Sequence, residues 1–185
     1  MILDHHVKQE LLRTVRSYLS YKLGISDTKP VLSENPLYNQ KTGIFVTLHK
    51  NQDLRGCIGH IIGHLPLKEA LFEMAEAAAF SDPRFPPLSR NELQDISIEI
   101  SILSELIPVD SIEKIIPGKH GVVLKQGFRQ AVFLPQVAPE QGWDRDEMLS
   151  HLSMKAGLNP RAYLDKNTEF FVFTADVFSE EDDHE

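Results

Sequence analysis

The sequence predicts an α+β fold built on antiparallel sheet. Two short strand-like runs within residues 44–58 are joined by a polar turn, as in a hairpin. Ile96-Ser97-Ile98-Glu99-Ile100-Ser101-Ile102 alternates apolar and polar residues without a break. Helical stripes lie among these runs with no repeating strand–helix–strand rhythm, which argues against a parallel sheet.

Val7, Leu11, Leu12, Val15, Tyr18, Leu19 and Leu23 recur at three- and four-residue spacing, one stripe of an amphipathic helix ended by Gly24. Residues 25–42 hold Pro30, Pro36, Asn35 and Asn39 and read as a loop. Ile44 to Leu48 is a β-branched and aromatic strand, Lys50 to Asp53 a turn, and Leu54 to Ile58 the returning strand. A regular returning strand puts Arg55, Cys57 and Gly59 on one face. Either turn parity is open, so the register is not set. Leu67 to Phe80 is a second helix with Pro66 at its start, and Ala75, Ala77, Ala78 and Ala79 leave its end slim enough for close backbone packing. Asp82-Pro83 stops it. After the alternating strand come Val122–Leu124 and Ala131–Leu134, joined through a turn at Gly127. Asp144 and Glu147 have the spacing of a capping box for a helix running to Gly157, and Phe170–Phe173 reads as a last strand.

The chain has 185 residues, 42% of them hydrophobic. A chain of that size buries about 70% of the surface its unfolded form exposes, so it can close a core. Lys and Arg number 19 against 27 for Asp and Glu, a formal charge of −8. Glu180, Glu181, Asp182, Asp183 and Glu185 crowd the C-terminus, leaving the body mildly acidic, and this acidic tail is expected to be disordered. The charge balance and the lack of a basic run interleaved with aromatics disfavour nucleic acid as a partner. A single cysteine excludes an intramolecular disulfide and suits a reducing, cytoplasmic compartment. No apolar run reaches the ~18 residues of a spanning helix, and Met1 to His6 lack the features of a signal peptide.

Chemistry concentrates in Leu54-Arg55-Gly56-Cys57-Ile58-Gly59. The thiolate is the reactive form of cysteine, and a neighbouring cation such as Arg55 lowers the thiol pKa. Gly56 and Gly59 flank the sulfur with unobstructed amides, able to hold an anion or a developing oxyanion. The plainer reading makes Cys57 a small buried hydrophobe in a glycine-kinked strand. Cys57, His60 and His64 have loose metal-ligand spacing, but no second cluster supports them and no metal is expected. Asp82 and Arg84 sit in a loop stiffened by Pro83, Pro86 and Pro87, where they either bind a polar ligand or pin the loop by pairing. His120 precedes a strand as a distant acid or base, or an exposed turn residue. Gln136 lies between apolar neighbours at a strand end and needs hydrogen-bond partners.

Gly43-Ile44-Phe45-Val46-Thr47-Leu48, the Leu54-to-Gly59 run, Asp82-Pro83-Arg84-Phe85 and Glu99-Ile100-Ser101-Ile102-Leu103-Ser104 occur in one order along the chain. His120-Gly121, Leu134-Pro135-Gln136-Val137-Ala138 with Trp143, and Lys155-Ala156-Gly157-Leu158 follow. In these motifs the chain resembles the AMMECR-one domain family. The resemblance implies two lobes, each an antiparallel sheet packed with helices, with a cleft near Cys57. The expected division is 1–42 and 105–179 in a larger lobe, 43–104 in a smaller one with the cysteine, and 180–185 as the disordered tail. The family's activity is unsettled. Its prokaryotic members occur with a Memo-type protein and a radical S-adenosylmethionine protein, which are therefore the expected partners in a modification pathway. The leading expectation is thiol-dependent chemistry or small-molecule binding at Cys57. Arg55 would lower its pKa, and Gly56 and Gly59 would receive negative charge. Asp82, Arg84, His120 and Gln136 would form the polar surroundings, with no cofactor expected. The alternatives are a non-catalytic protein-binding scaffold and, third, a basal role with nucleic acid.

Overall fold

The structure, a computed structural model, describes residues 3–184. In chain order the elements are α1 His5–Lys22, β1 Ile44–Lys50, β2 Asp53–His60, α2 Leu67–Phe80, β3 Ile96–Leu103 and β4 Ile107–Val109. β5 Gly121–Gln126, β6 Arg129–Phe133, α3 Val137–Gln141, α4 Arg145–Lys155, β7 Glu169–Phe173 and β8 Ala175–Ser179 follow. They form two compact units: one from residues up to 103 together with those from 176 onward, the other from residues 104–175.

In the first unit the sheet runs β2-β1-β3-β8 and carries both long helices on one face. Asp4 caps α1 by accepting the His6 N–H, and Leu11, Leu12, Val15 and Leu19 are buried against α2 and β3. β1 pairs antiparallel with β2 on one side and β3 on the other. Asn51 and Gln52 both take positive φ, 53° and 68°, in the two-residue hairpin turn that matches strand twist. Ile44, Val46 and Leu48 of β1 and Ile98, Ile100 and Ile102 of β3 share the helix-facing side and are fully or almost fully buried. The intervening residues Thr47, His49, Ser97, Glu99 and Ser101 line the opposite face. α2 lies so close to β2 that a Cβ on Gly56 would stand 2.2 Å from the Ala78 carbonyl oxygen. The slim alanine end of the helix permits that approach.

The second unit is a sheet ordered β4-β7-β5-β6 with α4 packed on it. Val122, Leu124, Phe170 and Val172 meet Met148, Leu149 and Leu152 in a separate core. The capping box of α4 forms as the sequence predicts, with Asp144 accepting the Glu147 N–H at 2.9 Å and Glu147 accepting the Asp144 N–H at 3.0 Å. No described helix is long and apolar enough to cross a membrane.

The α+β class with two antiparallel sheets is the one expected, but the division of the chain differs. Residues up to 42 join the cysteine-bearing sheet, because α1 and the buried Tyr38 share its core. The unit holding both chain ends is thus also the one holding Cys57. The acidic tail also departs from expectation: Glu180–His184 form a 3-10 turn. Glu180 accepts Arg16 Nε and Nη2 at 2.6 Å each and the Ile98 N–H at 2.9 Å, so that acid is structural. Glu185 lies outside the described residues.

Candidate functional site

β2 is an outer strand, so alternate backbone groups along it have no neighbouring strand. At Cys57 that edge is filled by side chains. Asp82, just past the end of α2 and 4% exposed, accepts the Cys57 N–H at 2.9 Å. Arg84 donates from Nη2 to the Cys57 carbonyl at 3.3 Å and binds Asp82 through Nε at 3.0 Å and Nη2 at 2.7 Å. The pair closes the ladder position that another strand would occupy. Its hydrogen bonds with Arg84 hold the Asp82 carboxyl well below the usual carboxylate range, helped by the Cys57 and Arg84 N–H groups and opposed by burial.

The Cys57 side chain points to the face away from the helices, opposite Thr47, whose hydroxyl stands 3.2 Å from the sulfur. The next strand places Glu99 opposite Thr47, so Cys57, Thr47 and Glu99 form one row across β2, β1 and β3. His49, two residues on from Thr47, brings Nε2 within 3.9 Å of Glu99. Cys57 is half-buried. Burial pushes its thiol pKa up, Thr47 and Arg84 pull it down, and the charges of Glu99 and Asp82 raise it again, for a net rise. The resting sulfur is therefore a neutral thiol at pH 7.

Arg55 does not take part in this. The β1–β2 register passes from Leu48↔Gly56 to His49↔Leu54, leaving Arg55 as the extra residue of a β-bulge. The bulge breaks the alternation that would have put Arg55 beside the sulfur. Its guanidinium instead meets Glu92 at 3.1 and 3.2 Å, next to Lys50, and it is Arg84 that acts on Cys57. The glycines serve packing. With the Cys57 N–H turned to the open edge, the Gly56 N–H faces the β1 ladder and only that of Gly59 faces outward. A Cβ on Gly59 would meet the Phe45 ring at 2.4 Å.

The AMMECR1 family model matches residues 12–178. The chain belongs to the AMMECR1 family. Among its relatives, protein MJ0810 of Methanocaldococcus jannaschii is 41% identical over 174 residues, covering 90% of this chain and 84% of that protein. Protein Mbar_A1807 of Methanosarcina barkeri is 39% identical over 175 residues, covering 92% and 86%. The crystal structure of PH0010 from Pyrococcus horikoshii superposes with a TM-score of 0.84 at 34% identity, over 97% of this chain and 94% of that one.

In this AMMECR1 chain the other candidate residues are distributed over both units. His60 pairs with Ile44, on the helix-facing side of the sheet, whereas Cys57 is on the other; the His60 and His64 rings are 6.0 Å apart. Among the described residues no three His, Cys, Asp or Glu side chains group as metal ligands. His120 belongs to the second unit, where Nδ1 accepts the Ile116 N–H at 3.2 Å and burial lowers its pKa. Gln136, also there, precedes α3 and accepts the Glu140 N–H through its carbonyl. Thr47, His49, Glu92 and Glu99 were not singled out by sequence. Their signal was pairing across strands, and it needs a register. A cavity of about 1080 Å³ opens elsewhere in the first unit, between the Lys29–Asn39 segment and α2, lined by Lys29, Leu32, Tyr38, Lys68 and Phe72 among others.

Proposed function

We infer that this AMMECR1 chain performs thiol-dependent chemistry at Cys57 on a small ligand, starting from a neutral thiol. The observation that supports it is a half-buried sulfur with polar company, the Thr47 hydroxyl at 3.2 Å and the fields of Arg84 and Glu99, on a strand whose backbone is clamped by Asp82 and Arg84. A cysteine serving only as a core hydrophobe has hydrocarbon neighbours instead. Asp82 and Arg84 hold the nucleophile in position rather than touch the ligand's reacting atom. A reducing cytoplasmic setting fits a single free thiol.

The test is the rate of Cys57 alkylation by iodoacetamide against pH in the folded protein. The thiol is expected to react, with its main midpoint above the ~8.5 of free cysteine, and Arg84→Gln is expected to move that midpoint higher still. Complete protection at every pH short of unfolding overturns the reading. As partners we propose a Memo-type protein and a radical S-adenosylmethionine protein. Equal recovery of both by wild type and by Cys57→Ser would separate partner binding from the sulfur. The scaffold reading draws its support from the 1080 Å³ cavity, which is lined without the cysteine.

A further inference from the structure

The cavity of the first unit lies between the Lys29–Asn39 segment and α2, and Cys57 is not among its lining residues. At about 1080 Å³ it takes a drug-sized molecule. Its outer wall is pinned to α1. Glu10 accepts the Ser33 N–H at 2.6 Å, the Ser33 hydroxyl at 2.9 Å and the Tyr38 hydroxyl at 2.7 Å. Just past the segment, the Gln40 carbonyl accepts the Leu67 N–H of α2 at 2.8 Å. Leu32, Pro36 and Phe72 give the interior its apolar surface.

Two cations are held at this cavity without a counter-charge. Lys29 Nζ stands 5.6 Å from the centre of the Phe72 ring and 5.8 Å from that of Tyr18. Lys68, one turn before Phe72 on the same face of α2, donates from Nζ to Asn39 Oδ1 at 2.9 Å. Neither ammonium pairs with a carboxylate among the described residues. The field of Lys29 reaches Glu76, but that carboxylate already takes Lys22 at 2.8 Å and the Tyr18 hydroxyl at 2.7 Å. α2 starts without a side-chain cap, so the positive end of its dipole lies beside Lys68. Glu34 and Glu69 also border the cavity, yet both are exposed, and among the described residues no hydrogen bond or ion pair holds either. The charge fixed in place is therefore positive.

We propose that this cavity binds a small organic anion, a carboxylate, sulfonate or phosphate carried on an apolar ring. The ring lies on Phe72 and Leu32, and Lys29 and Lys68 meet the acid group. Apolar contact supplies affinity, while the two ammonium groups select for negative charge. The site does without the cysteine, so it stands independently of the thiol reading.

Anilinonaphthalene sulfonate is the probe, an aromatic anion whose fluorescence rises in apolar surroundings. Phenylnaphthylamine, which lacks the sulfonate, is its neutral counterpart. The sulfonate is expected to bind the folded wild-type chain. Lys29→Gln and Lys68→Gln should each weaken that binding about tenfold and leave the amine unchanged. Both lysines are exposed, so the variants keep their fold, which circular dichroism checks. Val31→Asp, at a lining position that is 88% exposed, should weaken the sulfonate alone by like-charge repulsion. Lys125→Gln, in the second unit, should change neither dye. No sulfonate binding, binding that survives both lysine substitutions together, or a loss shared equally by the two dyes overturns the proposal. Alkylation of Cys57 is unchanged in each of these cases, so the thiol reading is judged by its own test.

Discussion

Glu92 shows how much one carboxylate can hold. Its two oxygens accept Arg55 Nε and Nη2, Lys50 Nζ, and the N–H and hydroxyl of Ser89, all between 3.0 and 3.3 Å. Arg55 is 8% exposed, and among the described residues its buried Nη1 finds no hydrogen-bond partner, so Glu92 neutralises a largely buried cation. The Arg55 contacts above all lower the Glu92 pKa to about 2, against the cost of burial. A carboxyl whose folded pKa lies below its unfolded value of 4.5 stabilises fully above pH 4.5. That contribution drains away as pH falls toward 2. Glu92→Gln leaves the Arg55 charge buried and is expected to cost about 3 kcal/mol at pH 7. The gap between wild type and variant in urea unfolding should narrow steadily from pH 4.5 to pH 2.5. A gap that stays constant would show that the pair is not what the acid titrates.

Among the elements, α2 and β2 depend on each other through Gly56. The atom nearest a new Cβ there is a helix carbonyl oxygen at 2.2 Å, which cannot rotate away. Gly56→Ala should therefore cost about 2–3 kcal/mol and lower the melting temperature by roughly 5–10 °C. Gly127→Asn, at φ 59° with open space around it, should leave melting unchanged in the same assay. The elements themselves were largely legible. α2 begins and ends where Pro66 and Asp82-Pro83 place it, the isoleucine alternation marks the buried face of β3, and Asp144 with Glu147 marks the start of α4. The bulge at Arg55 was not legible, because one inserted residue changes no composition or period yet redirects a side chain. β4, with three residues, and β8, with an exposed valine at its centre, fall below what period can detect. The site was half legible for the same reason. Cys57, Asp82 and Arg84 announce themselves by residue type, whereas Thr47, Glu99 and His49 look like the wet side of ordinary strands until register aligns them.

At the scale of the whole molecule, the first unit is closed by chain that returns after the second has been made. β8 adds the fourth strand beside β3, and Glu180 then takes the Ile98 N–H and locks Arg16, which also donates to the Leu93 and Ile96 carbonyls at 2.7 Å each. Arg16 and Glu180 are 164 residues apart, so composition near the tail reveals only its acids and nothing of their partner. Asp176 adds a second tie, accepting Lys8 Nζ and the Leu3 N–H at 2.6 Å each. The order of contacts has a consequence for stability. A chain ending at Thr174 loses a strand, leaves the Ile98 N–H without its carboxylate, and strips Arg16 and Lys8 of their counter-charges. Phe178, 4% exposed in the first core, goes with it, a loss of about 3 kcal/mol even without the ion pairs. Because the second unit has its own core, the truncation should unfold the first unit selectively. Hydrogen exchange is expected to show lost protection at Ile98 and Ile100 with protection kept at Val122 and Leu124. Equal loss in both units would mean that they unfold as one cooperative body.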